Sequence, residues 1–181
     1  MRSRLRRARN RIAILTLLSI YALLGLASAA SAQERPSFVR EVFKEVVLDP
    51  TTYAPAAIAY DATLRDWKSS QPFFARSYFE RNERFTISGR PNDFPVSYAV
   101  GRNRILADAL LDVQASAVNN MATRAFERAL IERFPHRRKL VRTLGWIERI
   151  SFASFLSYKL SAPHYRQASQ NQRLARQLGY R

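Results

Sequence analysis

The chain has 181 residues, with 30 Lys and Arg against 14 Asp and Glu, a formal net charge of +16, two His and no Cys. That length fits one domain, and the missing Cys excludes disulfides, thiolate metal sites and Cys nucleophiles. Two His fall short of a three-His zinc site, and no G-x-G-x-x-G, Walker A, G-x-S-x-G or H-E-x-x-H pattern is present.

The first 32 residues read as a secretory signal peptide. Arg2, Arg4, Arg6, Arg7, Arg9 and Arg11 form a basic start, Ile12 to Ala27 is an uncharged apolar run, and Ala30-Ser31-Ala32 supplies the small residues of a cleavage site. The other reading is an uncleaved anchor, because the run extended to Ala32 has twenty-one residues, enough for the ~20 that span a bilayer. Residues 33–181 are read as a single helical domain carrying 24 basic and 14 acidic residues, a net +10. An exported basic protein meets anionic lipid or acidic envelope polymers, or an envelope protein, rather than nucleic acid.

Within this domain the fold class expected is all-α, a bundle of five or six helices. Ser37 to Leu48 is amphipathic, with Phe38, Val42, Phe43, Val46 and Val47 on one stripe, and Asp49-Pro50 stops it. Thr51 or Thr52 is positioned to cap a second helix, with Pro55 in its first turn, running to about Lys68. Ser69-Ser70-Gln71-Pro72 reads as a break, followed by a short aromatic helix to Arg81 that holds Phe73, Phe74, Tyr78 and Phe79.

Residues 84–95 lack helical periodicity and carry turn chemistry at Ser88-Gly89 and Pro91-Asn92-Asp93, so a long irregular loop is expected there. Phe85-Thr86-Ile87 is the one short strand candidate. A long helix is then expected from Pro95 to Phe134, burying Ala107, Leu110, Leu111, Ala117, Val118, Met121, Ala125, Leu130 and Phe134.

Lys139 to Ala162 is apolar around nearly its whole circumference and is expected to be the central helix, with Ala153, Ser157 and Ser161 offering a line of close approach. Pro163 reads as a break before a last polar helix capped by Gly179. Beyond residue 33 the longest uncharged stretches, Pro50–Tyr60 and Val113–Thr123, have eleven residues, about half a membrane span.

Three groups of residues carry candidate chemistry. His136-Arg137-Arg138-Lys139, extended by Arg142, precedes the apolar helix and Trp146, a pattern suited to an anionic surface. Phe73, Phe74, Tyr78 and Phe79 are candidates for docking a protein partner. Asp108 and Asp112 stand at i, i+4, and their mutual repulsion calls for a cation, either Arg104 or a divalent metal. Asp61 has Arg65 one turn away. His164, Gln167 and Asn171 share a helix face.

Tyr60-Asp61-Ala62-Thr63, Phe79-Glu80-Arg81-Asn82 and the late His164 and Asn171 together resemble small helical membrane and envelope proteins of bacteria. That group has no established activity, so the resemblance implies a helical fold and no mechanism.

The functional expectation is an exported, basic, non-enzymatic helical envelope protein that binds an anionic surface through Arg137, Arg138, Lys139 and Arg142, or binds a protein partner. No cofactor is expected. The alternative is a metal-dependent hydrolase built on Asp61, Asp108, Asp112 and His164, with Asp108, Asp112 and His164 as metal ligands.

Overall fold

The computed structural model describes residues 36–180; the leader read in residues 1–32 lies outside them. Among the described residues the fold is all-α. It has four α-helices, α1 (Pro36–Val47), α2 (Ala54–Phe74), α3 (Tyr98–Arg133) and α4 (Arg138–Gln177), with short 3₁₀ turns at Pro50–Thr52, Glu83–Phe85 and Pro135–Arg137. The expected five or six helices become four because neither interior proline ends a helix. Pro72 sits in the last turn of α2; it gives up only its own bond to the Lys68 carbonyl, and the helix runs on to Phe74. Pro163 lies inside α4, which stays continuous because buried Ser161 and Ala168 anchor it on both sides. Of the short helix expected from Pro72 to Arg81, the first three residues end α2 and the rest begin an irregular connection. No described helix is long and apolar enough to cross a membrane.

α2 and the second half of α4 run parallel in closest packing. Both present small buried side chains, Ala56, Ala59, Ala62 and Ser69 on α2 and Ala153, Ser161, Ala168 and Ala175 on α4. Without bulk between them the two backbones approach closely. The hydroxyls of Ser157 and Ser161 donate back to the carbonyls of Ala153 and Ser157, each at 2.6 Å, so the seam carries no unpaired donor from them.

Both helices end in the same way. Ser77 (φ 64°) and Gly179 (φ 68°) turn into the left-handed region, while the N–H of Tyr78 returns to Phe73 and that of Tyr180 to Ala175. The expected Gly179 cap is thus present. Tyr78 and Tyr180 then close over Phe73, their rings 5.7 and 5.5 Å from it.

α3 begins at Tyr98 rather than Pro95, with Ser97 as its cap. It crosses α2 where Gly101 lies under the Trp67 ring. Trp67 is 3% exposed, donates Nε1–H to the Tyr98 carbonyl at 3.2 Å, and stacks on Phe85 at 5.1 Å. Ile105 completes this core, flanked by Tyr60, Leu64, Phe74 and Val96.

The buried side expected for α3 is corrected. Leu110, Leu111 and Phe134 are exposed, while Gly101, Ile105, Ser116 and Asn120 are buried. The apolar pattern there is broad, and crossing α2, α1 and α4 in turn selects a drifting line of small and polar residues instead. α4 is likewise not the most buried helix: its first half leaves Leu140, Leu144, Trp146, Ile147, Phe155 and Tyr158 exposed.

An ionic network ties the other end together. Arg149 of α4 is 7% exposed at its side chain; it pairs with Glu127 of α3 and lies 3.1 Å from Asp49. Arg124 joins Asp49 (2.7 Å) to Glu45 (2.8 Å), and Arg128 joins Glu45 to Glu41, each at 3.0 Å. Asn120 is fully buried and donates to the hydroxyls of Thr51 (2.9 Å) and Thr52 (2.8 Å). Those threonines therefore hold α3 and do not cap α2, which Tyr53 begins with no side-chain bond.

Two outcomes follow from this packing. A Cβ at position 101 would stand 2.3 Å from the Trp67 ring, so Gly101→Ala should cost about 1–3 kcal/mol in urea unfolding. Burial pushes the Asp49 carboxyl up, but hydrogen bonds from Thr51 and the Arg124 guanidinium outweigh it and hold Asp49 below its ordinary value. Its contribution is complete above the unfolded carboxylate range and fades as pH falls through the lower folded value. Asp49→Asn should therefore lose about 3 kcal/mol at neutral pH, and that deficit should shrink in strong acid.

Candidate functional sites

The first site is the corner where α3 turns into α4. The Pro135–Arg137 turn and the start of α4 set Arg137, Arg138, Lys139 and Arg142 in solvent, as expected. In the same segment of α4, Leu140, Leu144, Trp146 and Ile147 are 53%, 56%, 58% and 47% exposed. Leu140, Leu144 and Ile147 fall on one stripe, opposite the buried Gly145 and Arg149. Packing of α4 on α3 uses the small and charged face, and the apolar face is left outward. A Cβ at Gly145 would collide with the end of the Glu127 side chain, the partner of Arg149, which would then have to shift.

The second site is a cleft of about 640 Å³ between α2, the connection 75–97 and the second half of α4. Two single antiparallel bridges shape this connection, Glu80 with Asp93 and Thr86 with Pro95. The strand expected at Phe85-Thr86-Ile87 reduces to the second bridge, because Phe85 is drawn into a 3₁₀ turn and the core.

On the cleft wall, Asp66 Oδ2 stands 2.8 Å from His164 Nδ1. Asn171 Nδ2 reaches Asp66 Oδ1 at 3.5 Å and the hydroxyls of Ser69 and Ser70 at 3.2 and 3.0 Å, and its own oxygen accepts from Gln167 at 2.9 Å. The shared face of His164, Gln167 and Asn171 is thus present, though within a helix and not at its start. Glu80 faces the same space. Its Oε1 accepts the Asn82 N–H at 2.7 Å. Burial raises the Glu80 carboxyl above its ordinary value; the backbone N–H groups of Asn82 and Arg81 oppose this and the charge of Asp66 adds to it.

A second cleft of about 510 Å³ adjoins the first, sharing Thr63, Asn82, Phe85 and His164. Asp108 and Asp112 line it. Asp108 is gripped by the Nε and Nη2 of Arg84, while the expected partner, Arg104, turns to the carbonyls of Arg84 and Thr86. Asp112 has no hydrogen-bond partner among the described residues, and burial, with the Asp108 charge beside it, pushes it up to about 6.

Asp61 lines neither cleft; Arg65 holds it at 2.7 Å and Tyr165 at 2.8 Å on the outer side. Asp108, Asp112 and His164 share a wall, but among the described residues no three His, Cys, Asp or Glu side chains gather closely enough to hold a metal ion. Of the aromatic candidates, Phe73 and Phe74 are drawn into the cleft and core, whereas Tyr78 and Phe79 remain exposed.

Sequence reasoning passed over Asp66. A usable signal exists: Ala59, Ala62, Asp66, Ser69 and Phe73 follow a 3,4 spacing, which places one carboxylate on a buried stripe. Asp61, the acid singled out instead, lies off that stripe. Comparison with protein-family models, curated proteins and solved structures finds no match to this chain.

Asp112 sets an observable. A carboxyl whose folded value lies above its unfolded one binds an extra proton when folded, so stability should fall as pH rises from about 4 toward about 6. Urea unfolding of Asp112→Asn should lack that decline.

Proposed function

We propose that this is an exported helical protein that works at an anionic envelope surface, docking through the α3–α4 corner. The observation that carries the reading is that one end of α4 exposes an outward apolar stripe, Leu140, Leu144 and Ile147, together with four cations on its other faces, Arg137, Arg138, Lys139 and Arg142, and Trp146. An apolar face enters the headgroup boundary while Arg and Lys stems let their charges reach lipid phosphates. Trp146 suits the interface, with an apolar body and one polar N–H. Arg133, whose guanidinium lies 5.8 Å from the Phe134 ring centre, extends the positive field onto the end of α3. A basic-start leader and a +10 domain support delivery to such a surface.

Flotation with vesicles containing phosphatidylglycerol, against pure phosphatidylcholine vesicles, tests this across a salt series. Binding should favour the anionic vesicles and weaken as salt rises. At ~1 kcal/mol per cation, replacing Arg137, Arg138 and Arg142 by Gln should lower partitioning on the order of 100-fold. Equal binding to both lipids, or to neither, removes the proposal.

A further inference from the structure

The cleft beside His164 has no part in surface docking, and its chemistry points to a ligand of its own. Its volume of about 640 Å³ is in the range that encloses a small organic molecule.

Beside the donors of Arg81 and Asn82, the cleft offers free acceptors. The Asp66 carboxylate accepts from His164 Nδ1, so the neutral ring carries its proton on that nitrogen and offers Nε2 as an acceptor. Asn171 spends its amide N–H groups on Asp66, Ser69 and Ser70, and Gln167 donates one of its own to the Asn171 oxygen. Glu80 commits one oxygen to the loop backbone and keeps the second. Phe74, Tyr78 and Phe79 add ring faces along the wall, and ring faces attract cations. The charges oppose the rest of the molecule: Asp66 and Glu80 face Arg81 in this cleft, and Asp108 and Asp112 face Arg84 in the adjoining one, on a domain of net +10.

We infer that this cleft binds a small organic cation, a protonated amine bearing a flat apolar body. The ammonium is held by the Glu80 carboxylate and His164 Nε2, and the body lies against Phe74 and Phe79. Asp66 is a positioning residue that fixes the ring of His164. The burial that makes the Glu80 charge costly is relieved when a cation sits beside it.

The test uses the whole chain with three matched probes: phenethylamine, 2-phenylethanol and 3-phenylpropionate. The two histidines give an internal control, because His136 lies in the turn at the opposite end of α4. Phenethylamine should shift the His164 ring signals in NMR and leave those of His136 in place. Calorimetry should show it binding at least tenfold tighter than the alcohol, with no binding of the carboxylate. The titratable and charged groups that line the cleft with Glu80 are Asp66 on α2, Tyr78 and Arg81 on the loop and His164 on α4, while Arg84, Asp108 and Asp112 line the adjoining cleft. As pH falls and Glu80 takes up a proton, affinity for the amine should drop. Glu80→Gln should weaken binding about tenfold and reduce that pH dependence, leaving the part that the His164 Nε2 lone pair sets. Phe79→Ala, at an exposed position, should weaken it several-fold without disturbing the fold. Failure of the amine to move the His164 signals, or equal binding of the alcohol or carboxylate, would overturn the inference. Vesicle binding is independent of every one of these outcomes.

Discussion

The close approach of α2 and α4 is the constraint on which the rest of the molecule depends. Alanine and serine on both faces let two parallel backbones come near enough for a short Asp66 side chain to reach His164 across the seam. Larger residues there would separate the helices and part the two groups. The same seam sets the paired helix ends, so Tyr78 and Tyr180 meet over Phe73 and the connection leaving α2 is launched back over the cleft. The packing of the hydrocarbon and the placing of the polar groups are one event.

The far end is held differently. Asp49, Arg124, Glu127 and Arg149 are largely withdrawn from water, and each has an opposite charge within reach. Desolvating such groups costs much of what their attraction returns. Their evident contribution is specificity: guanidinium forks and carboxylates accept one relative placement of α1, α3 and α4, where an apolar interface tolerates several. Exact register at this end is also what turns the apolar stripe of α4 outward.

Much of the helical outline was legible. Asp49-Pro50 ends α1, Pro135 follows α3, Gly179 closes α4, and the loop around residues 84–95 is irregular. The helix count was not, because a proline breaks a helix only when packing on either side fails to hold it. Pro163 shows this most clearly, with Ser161 and Ala168 buried on either side of it. Half of the cleft was legible from the spacing of His164, Gln167 and Asn171 within one helix. The partner Asp66 was not, because a contact across 98 residues is set by which stripe of α2 is buried. Glu80 and Asn82 reach the cleft through bridges and turns whose register no local pattern declares.

Because α4 is a single rod, the positions along it have fixed separations. Arg142 and His164 are 22 residues apart on it, about 33 Å at the ~1.5 Å rise of a helix. That is roughly four Debye lengths at physiological ionic strength, where the screening distance is about 8 Å. Guanidinium groups at one extremity therefore leave protonation at the other untouched. Selection or engineering can retune either locale while its neighbour along the rod keeps its own electrostatics.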